Sequence, residues 1–136
     1  MSSVNYHLAS LILRIGFGLS MITGHGWGKF QTLISGEEIH FPSVLGMPPF
    51  IGLLLAVIAE FFACIVIIIG YKTKIASVFM IVTMFVAAFI IHWDDPWFSR
   101  SGGSKEMAVL YLIGFVAIYI LGSGKYSLDK KYSGTF

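Results

Sequence analysis

Four apolar runs, each close to the length of a bilayer crossing, constrain this chain more than any other feature. They occupy about residues 8–29, 50–70, 75–93 and 106–122. A helix needs roughly 20 apolar residues to cross a hydrocarbon core. Inside that core every backbone N–H and C=O must be satisfied by the protein itself, which leaves helices or a closed barrel. Barrel strands alternate apolar and polar residues, and runs such as Ile65-Val66-Ile67-Ile68-Ile69 do not. The expected fold is all-α, an integral membrane four-helix bundle built from residues 1–136 as a single domain.

Composition supports that reading. Of 136 residues, 57% are hydrophobic and only 12% charged, about half the charged share of a soluble domain. A net charge of +2 does not point to nucleic acid, and the expected surroundings are membrane lipids. The lone cysteine, Cys64, excludes a disulfide within the chain and reads as a small packing residue. Residues 1–7 carry no Lys or Arg, and Arg14 interrupts the first apolar run, so that run is expected to be retained rather than cleaved as a signal peptide.

The connections indicate an orientation. Residues 30–48 and 94–105 read as loops and residues 71–74 as a tight turn. Lys72 and Lys74 in the turn share a side with Lys125, Lys130 and Lys131 of the tail, whereas the opposite side holds Lys29, Arg100 and Lys105. The excess of lysine predicts both termini inside, N-in/C-in. Trp27, Trp93 and Trp97 then mark the outer interface, and Tyr71 and Tyr126 the inner one.

Ionisable residues within apolar runs carry the chemical information, because such groups face a protein interior or a wet cavity. Arg14 falls two turns into the first helix and Glu60 near the middle of the second. Helical rise puts them at depths of roughly 10 and 15 Å, within an arginine's reach, so they are expected to pair. That pair either locks two helices together or holds Glu60 ready as a proton acceptor or ligand contact. Arg14, His25 and Lys29, spaced by eleven and four residues, share a helical face. Nearby glycines, at 16, 18, 24, 26 and 28, leave room for close helix approach or a ligand. His25, Lys29, His92 and Glu106 all come at the outer ends of helices, where they can converge on one polar pocket. The plainer alternatives are interfacial anchoring for His25 and Lys29, and a helix N-terminal role for Glu106. No metal site is expected, since no ligand pair has helix-borne i, i+4 spacing.

In order along the chain stand Arg14-Ile15-Gly16-Phe17-Gly18, Gly26-Trp27-Gly28-Lys29-Phe30, Phe41-Pro42, Gly46-Met47-Pro48 and Glu60. They are followed by Gly70-Tyr71-Lys72-Thr73-Lys74, His92, Gly102-Gly103 before Glu106, and Gly122-Ser123-Gly124-Lys125-Tyr126-Ser127-Leu128-Asp129. This ordered set resembles the DoxX family of small membrane proteins over nearly the whole chain. One departure is Gly122-Ser123-Gly124, where the family reads Gly-Pro-Gly, which touches a turn only. The related DoxD branch resembles the membrane subunit of thiosulfate:quinone oxidoreductases. The resemblance implies a quinone-facing redox subunit that works with a protein partner or as a homo-oligomer, and a complete thiosulfate oxidase is not expected from this chain alone. On that reading Glu60, Glu106 and His92 handle protons, while Arg14, His25 and Lys29 hold a quinone or small anion. Two other functions fit the same residues: a small-solute transporter lined by Arg14 and Glu60, or a non-catalytic scaffold for partner proteins.

Overall fold

The computed structural model describes residues 3–99 and 104–133, and all regular structure among them is helical. Arg100 and the Gly102-Gly103 pair, used above for orientation and for the resemblance, lie outside the described residues. Three helices are long and apolar enough to cross a membrane: α1 (Val4–Ile34), α2 (Pro49–Ile69) and α3 (Thr73–Ile91). A fourth, α4 (Lys105–Leu121), and a short α5 (Leu128–Ser133) follow. The main differences from expectation are α1, which runs five residues past Lys29, and α5, a helix in the tail that the four apolar runs do not include. Nothing in Phe30-Gln31-Thr32-Leu33-Ile34 breaks a helix, and the chain leaves α1 only before Gly36, at φ 74°.

The helix ends follow local chemistry. Pro48 is extended and Pro49 opens α2 at its first position, where a missing N–H costs nothing. Gly70 closes α2 in the left-handed conformation, and the N–H groups of Gly70 and Tyr71 both return to the carbonyl of Val66. Ser104 caps α4 through the N–H of Met107.

Each long helix packs on two neighbours: α1 on α2 and α4, and α3 on α2 and α4. The N-terminus, the α2–α3 turn and the tail meet at one end, the terminal end, and the two loops occupy the other. Between them lies an apolar plug of Met21, Cys64, Ile67, Met80, Phe115 and Ile118, all essentially inaccessible. Cys64 is the packing residue it was expected to be, with its sulfur 3.7 Å from that of Met80. Outward faces carry Ile12, Leu19, Phe62, Phe79, Val82, Leu110, Ile113 and Ile120, all exposed, as a lipid solvent allows.

One feature sets the site. Each of α1, α2 and α3 contains a wide π turn: Ile22–Gly26, Ile58–Ala63 and Ala87–Ile91. A π turn inserts one residue and rotates everything beyond it by about 100° relative to a continuous α-helix.

Candidate functional site

The three π turns deliver His25, Glu60 and Ala87 to the same cavity, of about 210 Å³, near the loop end. All four long helices line it. Met21, His25 and Lys29 come from α1, Glu60 from α2, Met84 and Ala87 from α3, and Met107, Ala108 and Tyr111 from α4. His92, Ser99 and Ser104 complete the wall.

The centre of the site is an ion pair. Lys29 Nζ donates to Glu60 Oε2, with Glu60 buried and Lys29 about one-third open. The pair depends on Gly26. A β-carbon there would lie 2.5 Å from the carbonyl oxygen of Glu60, so the backbones of α1 and α2 touch at this level. Lys29, one turn beyond Gly26, is thereby carried over the Glu60 carboxylate. Gly18 also meets α2, through Ile68, whereas Gly16, Gly24 and Gly28 have open space around them.

His25 does not share the face of Arg14 and Lys29. Its ring meets Tyr111 of α4 edge-on at 5.7 Å, while Arg14 and Lys29 both turn toward α2. His92 sits at the end of α3, with Nδ1 2.6 Å from Asp95 Oδ2. A carboxylate on Nδ1 fixes the ring and leaves Nε2 as the nitrogen for exchange with a ligand. The loop that carries both residues is clamped to α4. Lys105 Nζ donates to Trp93 O at 2.7 Å, and the Glu106 N–H donates to Trp97 O at 3.1 Å.

Four of the six residues singled out from sequence therefore share the cavity: His25, Lys29, Glu60 and His92. Two do not. Glu106 is not part of the lining and occupies the first turn of α4, the helix N-terminal role. Arg14 is buried at the terminal end, and the expected Arg14–Glu60 pair does not form. Arg14 Nη1 donates to the carbonyls of Ile67 and Ile68 at 3.2 and 3.0 Å, and Nη2 to that of Tyr126 at 2.5 Å. The physical reason is local supply. The last carbonyls of α2 carry the negative end of the helix dipole and lie at Arg14's own level. Glu60 lies two turns earlier in α2 and has Lys29 beside it.

Arg14 belongs to a second network that sequence reading treated as separate pieces. Ser10 Oγ donates to Gly122 O at 2.7 Å, the Lys125 N–H to His7 Nδ1 at 3.2 Å, and the Asp129 N–H to Gly70 O at 2.9 Å. The Asp129 carboxylate accepts from the N–H groups of Lys72 and Thr73 and from the Thr73 hydroxyl. It caps α3 from 56 residues away.

Within the site, Asp95 and Tyr111 were missed. The His92-x-x-Asp95 spacing was a usable signal, since a histidine and a carboxylate three apart at a helix end readily meet. Tyr111 gave none. Among the described residues no three His, Cys, Asp or Glu side chains are grouped to hold a metal ion.

Comparison with known proteins agrees with a membrane location. The DoxX family model matches residues 9–93, covering nearly all of α1, all of α2 and α3, and three cavity-lining ionisable residues in addition to His25. Inner membrane protein YqjF of Escherichia coli (strain K12) is 28% identical over 122 residues, 88% of each chain. No solved structure matches the chain.

Proposed function

The chain belongs to the DoxX family of integral membrane proteins, and from that premise we propose that it is a quinone-linked redox subunit of the bacterial inner membrane, its chemistry held in the cavity at the loop end. The observation that carries this reading is the meeting of the Lys29–Glu60 ion pair with His25 and His92 in one cavity closed at its base by apolar side chains. On this reading the four long helices form a transmembrane bundle. Five lysines at the terminal end, against Lys29 and Lys105 among the described residues at the other, favour cytoplasmic termini. The cavity then opens toward the periplasm.

The residues present suit a quinone head group. A cavity of about 210 Å³ is below the roughly 300–1,000 Å³ usual for drug-sized ligands, so it accommodates a single ring and leaves an isoprenoid tail outside. Met21, Met84 and Tyr111 offer the apolar and sulfur contacts a flat ring takes up. A bound quinone supplies two carbonyl oxygens that accept protons as the ring is reduced. Lys29 and His25 are the donors that orient a carbonyl oxygen. Glu60 and His92 hold and pass protons, and Asp95 keeps His92 in one tautomer. Arg14 and Glu106 have structural roles instead. Electrons come from a protein partner docking at the loop end.

The rival transport reading needs a path through the molecule. The plug of Met21, Cys64, Met80, Phe115 and Ile118 favours chemistry confined to one side. The test is lipid extraction of the protein purified from native membrane, followed by thermal unfolding with a short-chain quinone. The expected result is a co-purified quinone and a rise in Tm that is lost in His92→Gln and His25→Phe. A preparation free of quinone whose Tm ignores added quinone would sink the proposal. Proteoliposome flux above that of empty vesicles would favour transport.

A further inference from the structure

Outside the cavity, the strongest concentration of charge lies at the terminal end. Lys72 and Lys74 of the α2–α3 turn and Lys125, Lys130 and Lys131 of the tail gather there, and Asp129 is the one acidic residue among these segments. The tail is not a loose polymer. The Asp129 N–H donates to Gly70 O at 2.9 Å, and its carboxylate accepts from Lys72 N–H at 2.7 Å and from the N–H and hydroxyl of Thr73, each at 3.2 Å. This clasp holds α5 against the turn, so lysines more than 50 residues apart in sequence share one surface. Ser127 closes it further, accepting from the Lys130 N–H at 3.3 Å.

The lysines are also set among rings. Lys72 Nζ lies 5.7 Å from the centre of Tyr71, Lys74 5.8 Å from Tyr119, Lys125 4.9 Å from Tyr126 and Lys131 5.8 Å from Tyr132. Lys72, Lys74, Lys125 and Lys131 are exposed. Tyrosine rings settle at the headgroup level of a bilayer, and lysine stems run along apolar surface to place their ammonium groups at the phosphates.

We propose that this clasped lysine collar is a binding site for anionic phospholipid headgroups, with the lipid phosphate as the recognised group. Each lysine near an anionic surface raises partitioning by about fivefold, so several together separate anionic from zwitterionic lipid by orders of magnitude. The site is independent of the redox chemistry: it lies at the far end of the molecule, beyond the apolar plug.

The experiment is thermal unfolding of the full chain in neutral detergent, with added phosphatidylglycerol, phosphatidylcholine or inorganic phosphate. The expected result is a rise of several degrees with phosphatidylglycerol alone, more than halved in about half-molar salt and in the Lys72→Gln/Lys74→Gln/Lys131→Gln variant. Equal stabilisation by phosphatidylcholine, or by inorganic phosphate, would overturn the proposal, as would a triple variant that still responds fully. If that variant fails to fold, the headgroup and salt comparisons on the unaltered protein decide.

Discussion

A carboxylate as deeply withdrawn as Glu60, 4% exposed, is tolerable in a membrane protein only beside a cation or a donor. Lys29 is that cation. A buried pair adds little net stability over a well-packed apolar pair, but removing one member strands the other. Lys29→Met and Glu60→Gln are each expected to cost about 3 kcal/mol, the low end for a buried pair because Lys29 is partly open. The double variant should fall short of their sum by at least about 1 kcal/mol. A double-mutant cycle on unfolding free energy measures this, and strict additivity would mean the pair is not coupled. Both residues were legible individually, Glu60 as a charge inside an apolar run and Lys29 as a cation at the outer end of one. Their pairing was not. Helical rise gives depth and says nothing of rotation or of competing acceptors. Arg14 and Glu60 are close enough in depth to pair, but the open carbonyls of Ile67 and Ile68 meet the guanidinium first.

Between residues and fold stand the π turns. Each adds a residue to a helix where a cavity needs a side chain turned inward, and the propensities of Ile-Thr-Gly-His-Gly or Ala-Ala-Phe-Ile-Ile do not reveal it. In α1 the π turn ends at Gly26, where the backbones of α1 and α2 touch. Gly26→Ala places a methyl against the Glu60 carbonyl, where no flexible side chain can give way. It is expected to cost about 1–3 kcal/mol and to weaken any quinone response. Gly24→Ala and Gly28→Ala meet open space and should be neutral or slightly stabilising, by up to about 1 kcal/mol. Thermal unfolding of the three variants side by side checks this, and a similar loss in all three would remove the close-contact account. The glycine-rich stretch was visible in sequence, but which glycine carried the contact was not, because the spacing of all five fits one helix equally well.

For the molecule as a whole, the proposed orientation is directly measurable. With native Cys64 buried, a cysteine placed at Ser43 should react with a membrane-impermeant maleimide in cells whose outer barrier is opened. One placed at Lys131 should react only after the inner membrane is breached. The reverse pattern would move the cavity to the cytoplasmic side and the lysine collar to the periplasmic one. By itself, the sequence determined that the chain is helical, that it lives in a membrane, and where its four long helices start and stop to within about five residues. The reason is that hydrocarbon leaves a backbone so few choices that hydropathy, proline and glycine settle them locally. Tertiary structure alone decided which charge meets which. It gave Glu60 to Lys29, gave Arg14 to the end of α2, and clasped the tail with Asp129. Such pairings depend on helix rotation and on backbone groups freed at helix ends, and both exist only once the helices have packed.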